Sequence, residues 1–346
     1  MRQTLKLTHV FLTLLALALF AVQSQAQDPG TAYPRSSQVS DQRAGSVLVF
    51  NIYSSSPSSP NLENARLSIT NTNAATNASV TVHLFMIDGA TCSVADSFVC
   101  LTQAQTTSFL TSDMDPGVTG YAIAVAVSGV TGCPVAFNYL IGDEYVKFAS
   151  GHSANLAAVA FAAVYDQFAA CQPDSVTATL YFDNAGPVND SYNLLPRTLA
   201  LDSLTSLADG NSTMLVINRI GGNLGRTAAA IGPVFGLLFD DKENAASFGF
   251  TAASCQFRSL ISSSFPRTTP RFNSLVPTGH TGWAKLWADG TDVGLLGATI
   301  NFNPNAVGVA GAFNSGHNLH SLTINNFGFA TTNAPSITIP IVPPGC

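Results

Sequence analysis

The chain is poor in charge. Lys, Arg, Asp and Glu together make up 10% of its 346 residues, well under the ~25% of an average soluble domain. Surface polarity must then come from Ser, Thr, Asn and Gln. No cluster of Lys and Arg occurs, which excludes the phosphate-neutralising surface that nucleic acid requires and disfavours an anionic membrane. No CxxC pair is present, so neither a thioredoxin-like redox centre nor a zinc ribbon is supported. GxSxG is missing as well, and the glycine-rich run Gly221–Arg226 has neither the GxGxxG nor the P-loop spacing. It predicts a flexible loop. Helical periodicity is nearly absent, and only Asn155–Ala170 and Leu199–Leu207 suit short helices.

Apolar runs are also scarce, with one exception. Val10–Val22 is uncharged and apolar, follows Arg2 and Lys6, and precedes the small-x-small site Ser24-Gln25-Ala26. That pattern predicts a cleaved leader over 1–26, too short to span a bilayer. No later stretch predicts a transmembrane segment. Cleavage removes two cations and no anion, leaving the chain two units more negative than its formal −6. Export, to the envelope or outside the cell, follows as the expected localisation. Three N-x-S/T sequons, at Asn77, Asn189 and Asn211, leave the type of organism open.

What remains reads as β-structure. Val80, Val82, Leu84 and Met86 point one way along a strand, and Thr81, His83 and Phe85 the other. In Tyr121–Val127 the large residues Tyr121, Ile123, Val125 and Val127 alternate with alanines, so large side chains fill a core and the alanine face can approach another layer. Val47–Tyr53 and Ala65–Thr70 precede these. Short strands broken by Gly, Pro, Asn and Ser predict a sandwich.

The second half echoes the first. Gly117–Ala122 (GVTGYA) returns as Gly279–Ala284 (GHTGWA), and Phe148–His152 (FASGH) as Phe313–His317 (FNSGH). Between them, Phe137-Asn138-Tyr139 resembles Ile300-Asn301-Phe302. An all-β chain of two tandem antiparallel β-sandwich domains is expected, built by internal duplication. The expected plan is a flexible segment over 27–44, domain 1 over 45–165, a linker over 166–173 and domain 2 over 174–346. Arg66–Asn73 running into Ser79–Phe85 resembles immunoglobulin-like surface modules. No functional residue is carried over from that resemblance.

Six cysteines (Cys92, Cys100, Cys133, Cys171, Cys255 and Cys346) predict disulfides in an exported chain. Cys92 and Cys100 bracket a short segment, and a hairpin predicts their pairing. Cys133–Cys171 and Cys255–Cys346 then complete one set among several, with no spacing argument to select it.

Candidate chemistry is thin. His280, His317 and His320 form the only trio that suggests a metal, although residues three apart on a strand face opposite ways. Asp113 and Asp115 suggest a calcium loop lacking its later ligands. Asp240–Glu243 reads as a polar turn, Asp143-Glu144 as a hairpin tip, and Ser150 as a turn residue. Trp283 and Trp287, the only tryptophans, share one face of a strand with Lys285 between them, which suits sugar stacking if that face is solvated. No catalytic residue and no cofactor is expected. The expected function is a non-catalytic structural or adhesive role, with envelope or matrix proteins or glycans as partners and no nucleic acid. A carbohydrate-binding or carbohydrate-active protein using Trp283 and Trp287 is the alternative.

Overall fold

The computed structural model describes residues 31–32, 39–165, 171, 175–185, 190–290, 292–306, 314–324 and 334–345. The expected leader, most of the 27–44 segment and of the linker, Asn189, Phe313 and Cys346 lie outside the described residues.

The chain is nearly all β, and its main sheets are antiparallel. With strands numbered in chain order, the first five-stranded sheet runs β10 (Val159–Phe161), β2 (Val47–Ser54), β7 (Thr119–Val127), β4 (Val80–Asp88), β5 (Val94–Leu101). Facing it is β6 (Thr106–Leu110), β3 (Asn64–Asn71), β8 (Leu140–Lys147), β9 (Ser153–Ala157). Leu48, Phe50, Leu84 and the alanines of β7 meet Leu67, Ile69, Val146 and Leu156 between them.

The second sandwich repeats this order. One sheet is β1 (Thr31–Ala32), β22 (His320–Ile324), β12 (Pro196–Thr205), β19 (Thr281–Ala288), β16 (Gly232–Asp240), β17 (Ala245–Ala252). Opposite lies β18 (Gln256–Leu260), β13 (Ser212–Ile220), β20 (Gly294–Phe302), β21 (Ser315–Asn318). Strand for strand, β10-β2-β7-β4-β5 corresponds to β22-β12-β19-β16-β17, and β6-β3-β8-β9 to β18-β13-β20-β21. The register also shifts at matching places, between Phe50 and Tyr53 on β2 and between Leu201 and Leu204 on β12. In both sandwiches the first strand pairs with β7 or its counterpart, an order that differs from the ABED and CFG sheets of immunoglobulin domains.

The repeated GxTG has a physical cause in each copy. A one-turn helix precedes it, α1 (Thr111–Met114) or α2 (Phe272–Leu275). Its first glycine takes a positive φ, 88° at Gly117 and 74° at Gly279, open to glycine at little cost. Its second cannot carry a side chain: a Cβ on Gly120 would sit 1.8 Å from the Ile87 carbonyl oxygen, and one on Gly282 2.6 Å from that of Phe239. The other echoes do not coincide so well. Phe137–Tyr139 precedes β8 while Ile300–Phe302 ends β20, and His152 lies in a turn while His317 lies on β21.

Neither expected helix forms among the described residues, which leave out 166–170 of the first. Asn155–Phe161 supplies strand to β9 and β10, and Leu199–Thr205 lies within β12. Sheet pairing at those positions overrides the helix propensity of Ala and Leu. The expected loop at Gly221–Arg226 is instead held in a small four-stranded sheet of β11 (Thr177–Tyr181), β23 (Ser336–Pro340), β14 (Gly222–Asn223) and β15 (Thr227–Ala228). Asp143 and Glu144, expected at a hairpin tip, lie inside β8.

The small sheet covers the outer face of the first sandwich. Ala178, Leu180, Ile337 and Ile339 pack on Val47, Val49, Tyr121, Ile123 and Val125. Strands on either side of the expected 166–173 linker thus share one core. The sandwiches also join directly, since Met214, Val216, Ala298 and Ile300 belong to the first core while Leu215 and Ile217 face the second. At this seam Asn51, buried in the β2 bulge, donates to the Gly297 carbonyl at 3.2 Å and to Asn318 at 2.8 Å, and accepts from Asn218.

Disulfide pairing corrects two expectations. Cys92 bonds Cys255, with Cα atoms 5.6 Å apart, and ties the two sandwiches together. Cys133 bonds Cys171, and Cys100 is also disulfide-bonded. Cys92 and Cys100 do not pair because they sit on the same arm of the β4–β5 hairpin. Cys92 lies in the turn and Cys100 opposite Thr81 near the far end of β5, roughly 25 Å away at strand rise. Pairing with Cys92 likewise removes Cys255 from the expected bond to Cys346.

Candidate functional site

Strand alternation sets the candidate surface. On β19 the side chains of Ala284, Leu286 and Ala288 enter the second core. Trp283, Lys285 and Trp287 therefore share the outer face, as the sequence suggests. Register places Phe239 beside Trp283, Leu237 beside Lys285, and Phe235 beside Trp287. Trp283 is 38% exposed and Phe235 43%. The Trp283 indole stacks on Phe239 with centroids 4.5 Å apart and planes 11° apart. Trp287 differs from expectation: it is buried, at 5% exposure, and offers no open ring to a ligand. Phe235 and Phe239 escape sequence reading because phenylalanine is common in this chain and only pairing reveals them beside the tryptophans.

The histidines divide. His317 and His320 converge on one carboxylate: His317 Nε2 lies 2.6 Å from Asp202 Oδ1, and His320 Nε2 3.5 Å from Asp202 Oδ2. The other nitrogen of His317, Nδ1, contacts Thr299 Oγ1 at 3.2 Å. Thr299 is buried at 3% exposure, out of reach of a substrate. His280 is held elsewhere, 2.6 Å from Asp241. The trio is therefore not assembled, and no group of three metal-ligating side chains occurs among the described residues. A cavity of about 350 Å³ beside His317 and His320 is lined by Asp41, Gln42, Asn318 and Ser321 among others.

His83 was not singled out in the sequence. It is buried on β4 between the rings of Phe85 and Phe98, at 4.1 and 4.2 Å. Nε2 meets Asp96 at 2.7 Å, and Nδ1 is buried without a hydrogen-bond partner among the described residues. Burial lowers its pKa, against the opposing pull of Asp96.

Asp115, Asp240 and Glu144 bond within the fold. Asp115 accepts from the Tyr53 hydroxyl at 2.6 Å, and Asp240 closes its own turn by accepting from Asn244 and from the Lys242 backbone. Ser150 donates to His152 Nδ1, whose Nε2–H donates to the Ser212 carbonyl at 2.9 Å. Glu144, wholly buried, accepts the backbone N–H groups of Asn51 and Ile52. Burial nevertheless raises its pKa well above the usual carboxylate range.

No helix among the described residues is long and apolar enough to cross a membrane. No protein-family model and no curated protein matches the chain. Among solved structures, the major pilin from Streptococcus pyogenes aligns with 80% of this chain and 96% of its own length, at 10% identity and a TM-score of 0.19. A likeness that slight carries no argument about function.

Proposed function

We propose that this is an exported, non-catalytic protein with a structural or adhesive role at or outside the cell envelope. The observation that carries the reading is the welded seam. A disulfide, a buried amide network and shared core residues join the two sandwiches, which suits a load-bearing or surface-presenting body. Disulfides of this kind persist in oxidising compartments, in keeping with the leader-like sequence over 1–26. Fractionation of the native host tests the proposal. Mature chain starting near Gln27 should appear outside the cytoplasm, with Cys92 and Cys255 linked in non-reduced peptide maps. Recovery of a reduced, full-length chain in the cytoplasm would overturn it.

Carbohydrate binding is a second reading, favoured by the exposed Trp283 ring. Trp287 is replaced in that reading by Phe235 and Phe239.

A further inference from the structure

We propose that the outer face of the six-stranded sheet docks a glycan, with Trp283 and Phe235 as its two stacking platforms. The inference rests on the adhesive reading and gives it a ligand class.

The molecule contains its own reference for what a protein-covered face looks like. On the first sandwich, the face beneath the small sheet presents Val49, Ile87, Ile123 and Val125. Matching registers set Ile87 beside Tyr121 and Phe239 beside Trp283. By the same correspondence Lys285 stands where Ile123 stands, and Phe235 where His83 stands. Ile87 and Ile123 have given way to Phe239 and Lys285, while the rings of Tyr121 and His83 are matched by those of Trp283 and Phe235. A lysine makes a poor floor for an apolar sheet.

Ring geometry points the same way. Trp283 has one face against Phe239, which holds the indole in place and leaves its other face for the C–H surface of a pyranose ring. A platform ordered in advance avoids an ordering cost on binding. On the neighbouring strand, Gly249, Ser247 and Ala245 lie opposite Phe235, Leu237 and Phe239, so small residues border the rings. Phe235 pairs with Trp287, four residues along β19 from Trp283, placing the platforms about 13 Å apart. That span calls for an oligosaccharide.

With only two tryptophans in the chain, fluorescence reports the site. The full secreted chain would be titrated with cello-, chito-, xylo- and manno-oligosaccharides and with oligogalacturonates. A saturable emission shift with one series is expected, kept in Trp287→Phe and lost in Trp283→Ala. Affinity should fall roughly tenfold in Phe235→Ala, with melting temperatures near wild type in the last two. No saturable shift with any series, or affinity measured by calorimetry that survives both Trp283→Ala and Phe235→Ala, would overturn the site. Concentration-dependent dimerisation abolished by Trp283→Ala would also overturn it, assigning the face to a second copy. Failure here with extracellular recovery intact leaves the adhesive reading standing. Shortened oligosaccharides after incubation would instead remove the non-catalytic reading while leaving the site.

Discussion

The two sandwiches share a strand order and differ in what lies on one face. In the first, the outer side of the five-stranded sheet is sealed by the small sheet, and Tyr121, Ile123 and Val125 are wholly buried. In the second, the corresponding positions are Trp283, Lys285 and Trp287, and the exposed rings are Trp283 and Phe235. Backbone topology therefore does not decide which faces are buried. The extra strands do, and both β11 and β23 are spent on the first sandwich. A similar contrast holds at the bulges. Asn51 meets buried amides and Glu144, whereas Asp202 meets the part-exposed His317 and His320.

Exchanging the central residue tests this most harshly. Ile123→Lys buries an ammonium beneath the small sheet and should destabilise the protein by on the order of 5 kcal/mol, or prevent secretion. Lys285→Ile, half-buried beside the exposed Trp283, should cost far less, about 1 kcal/mol at most. Urea unfolding of both variants measures the difference, and equal losses would break the comparison.

Removing the clamp between the sandwiches comes next. Cys92→Ala with Cys255→Ala opens a bridge spanning 163 residues and should cost about 4 kcal/mol. Separate melting of the two halves in calorimetry would show that the bridge, rather than the shared core, makes them one unit. Smaller again are the ring truncations. Tyr121→Ala loses a buried ring and a hydrogen bond to the Arg219 carbonyl, at about 3 kcal/mol. Trp283→Ala should cost about 1 kcal/mol, the value of a surface aromatic pair.

The smallest effect is a slope with pH. Burial raises the Glu144 pKa, so the folded state holds a proton that the unfolded state releases above about pH 4.3. Stability from this group is complete below that value and falls as pH rises toward the folded pKa. Glu144→Gln should remove that decline and be the more stable form near neutrality. A pH profile unchanged by the substitution would show that the backbone donors of Asn51 and Ile52 offset burial.

Much of this was legible beforehand. Alternation in Val80–Met86 and Tyr121–Val127 marked strands, and the paired GxTG motifs marked equivalent turns whose glycines are required by φ and by close carbonyls. Trp283 stood out because tryptophan is rare in the chain. Its partners did not, because Phe235 and Phe239 lie more than forty residues away and meet it only through the β16–β19 register.

Composition, alternation and turn chemistry, all local in sequence, determined an all-β chain with repeated landmarks and cysteines suited to oxidation. Tertiary structure alone decided that Cys92 bonds Cys255 across the seam and that the alanine-rich segment after residue 155 pairs as strands. It also decided that Trp287 is covered while Trp283 is open. Each of these depends on which distant strand arrives alongside. That is set by competition among whole sheets for apolar cover, and a local pattern carries no record of it.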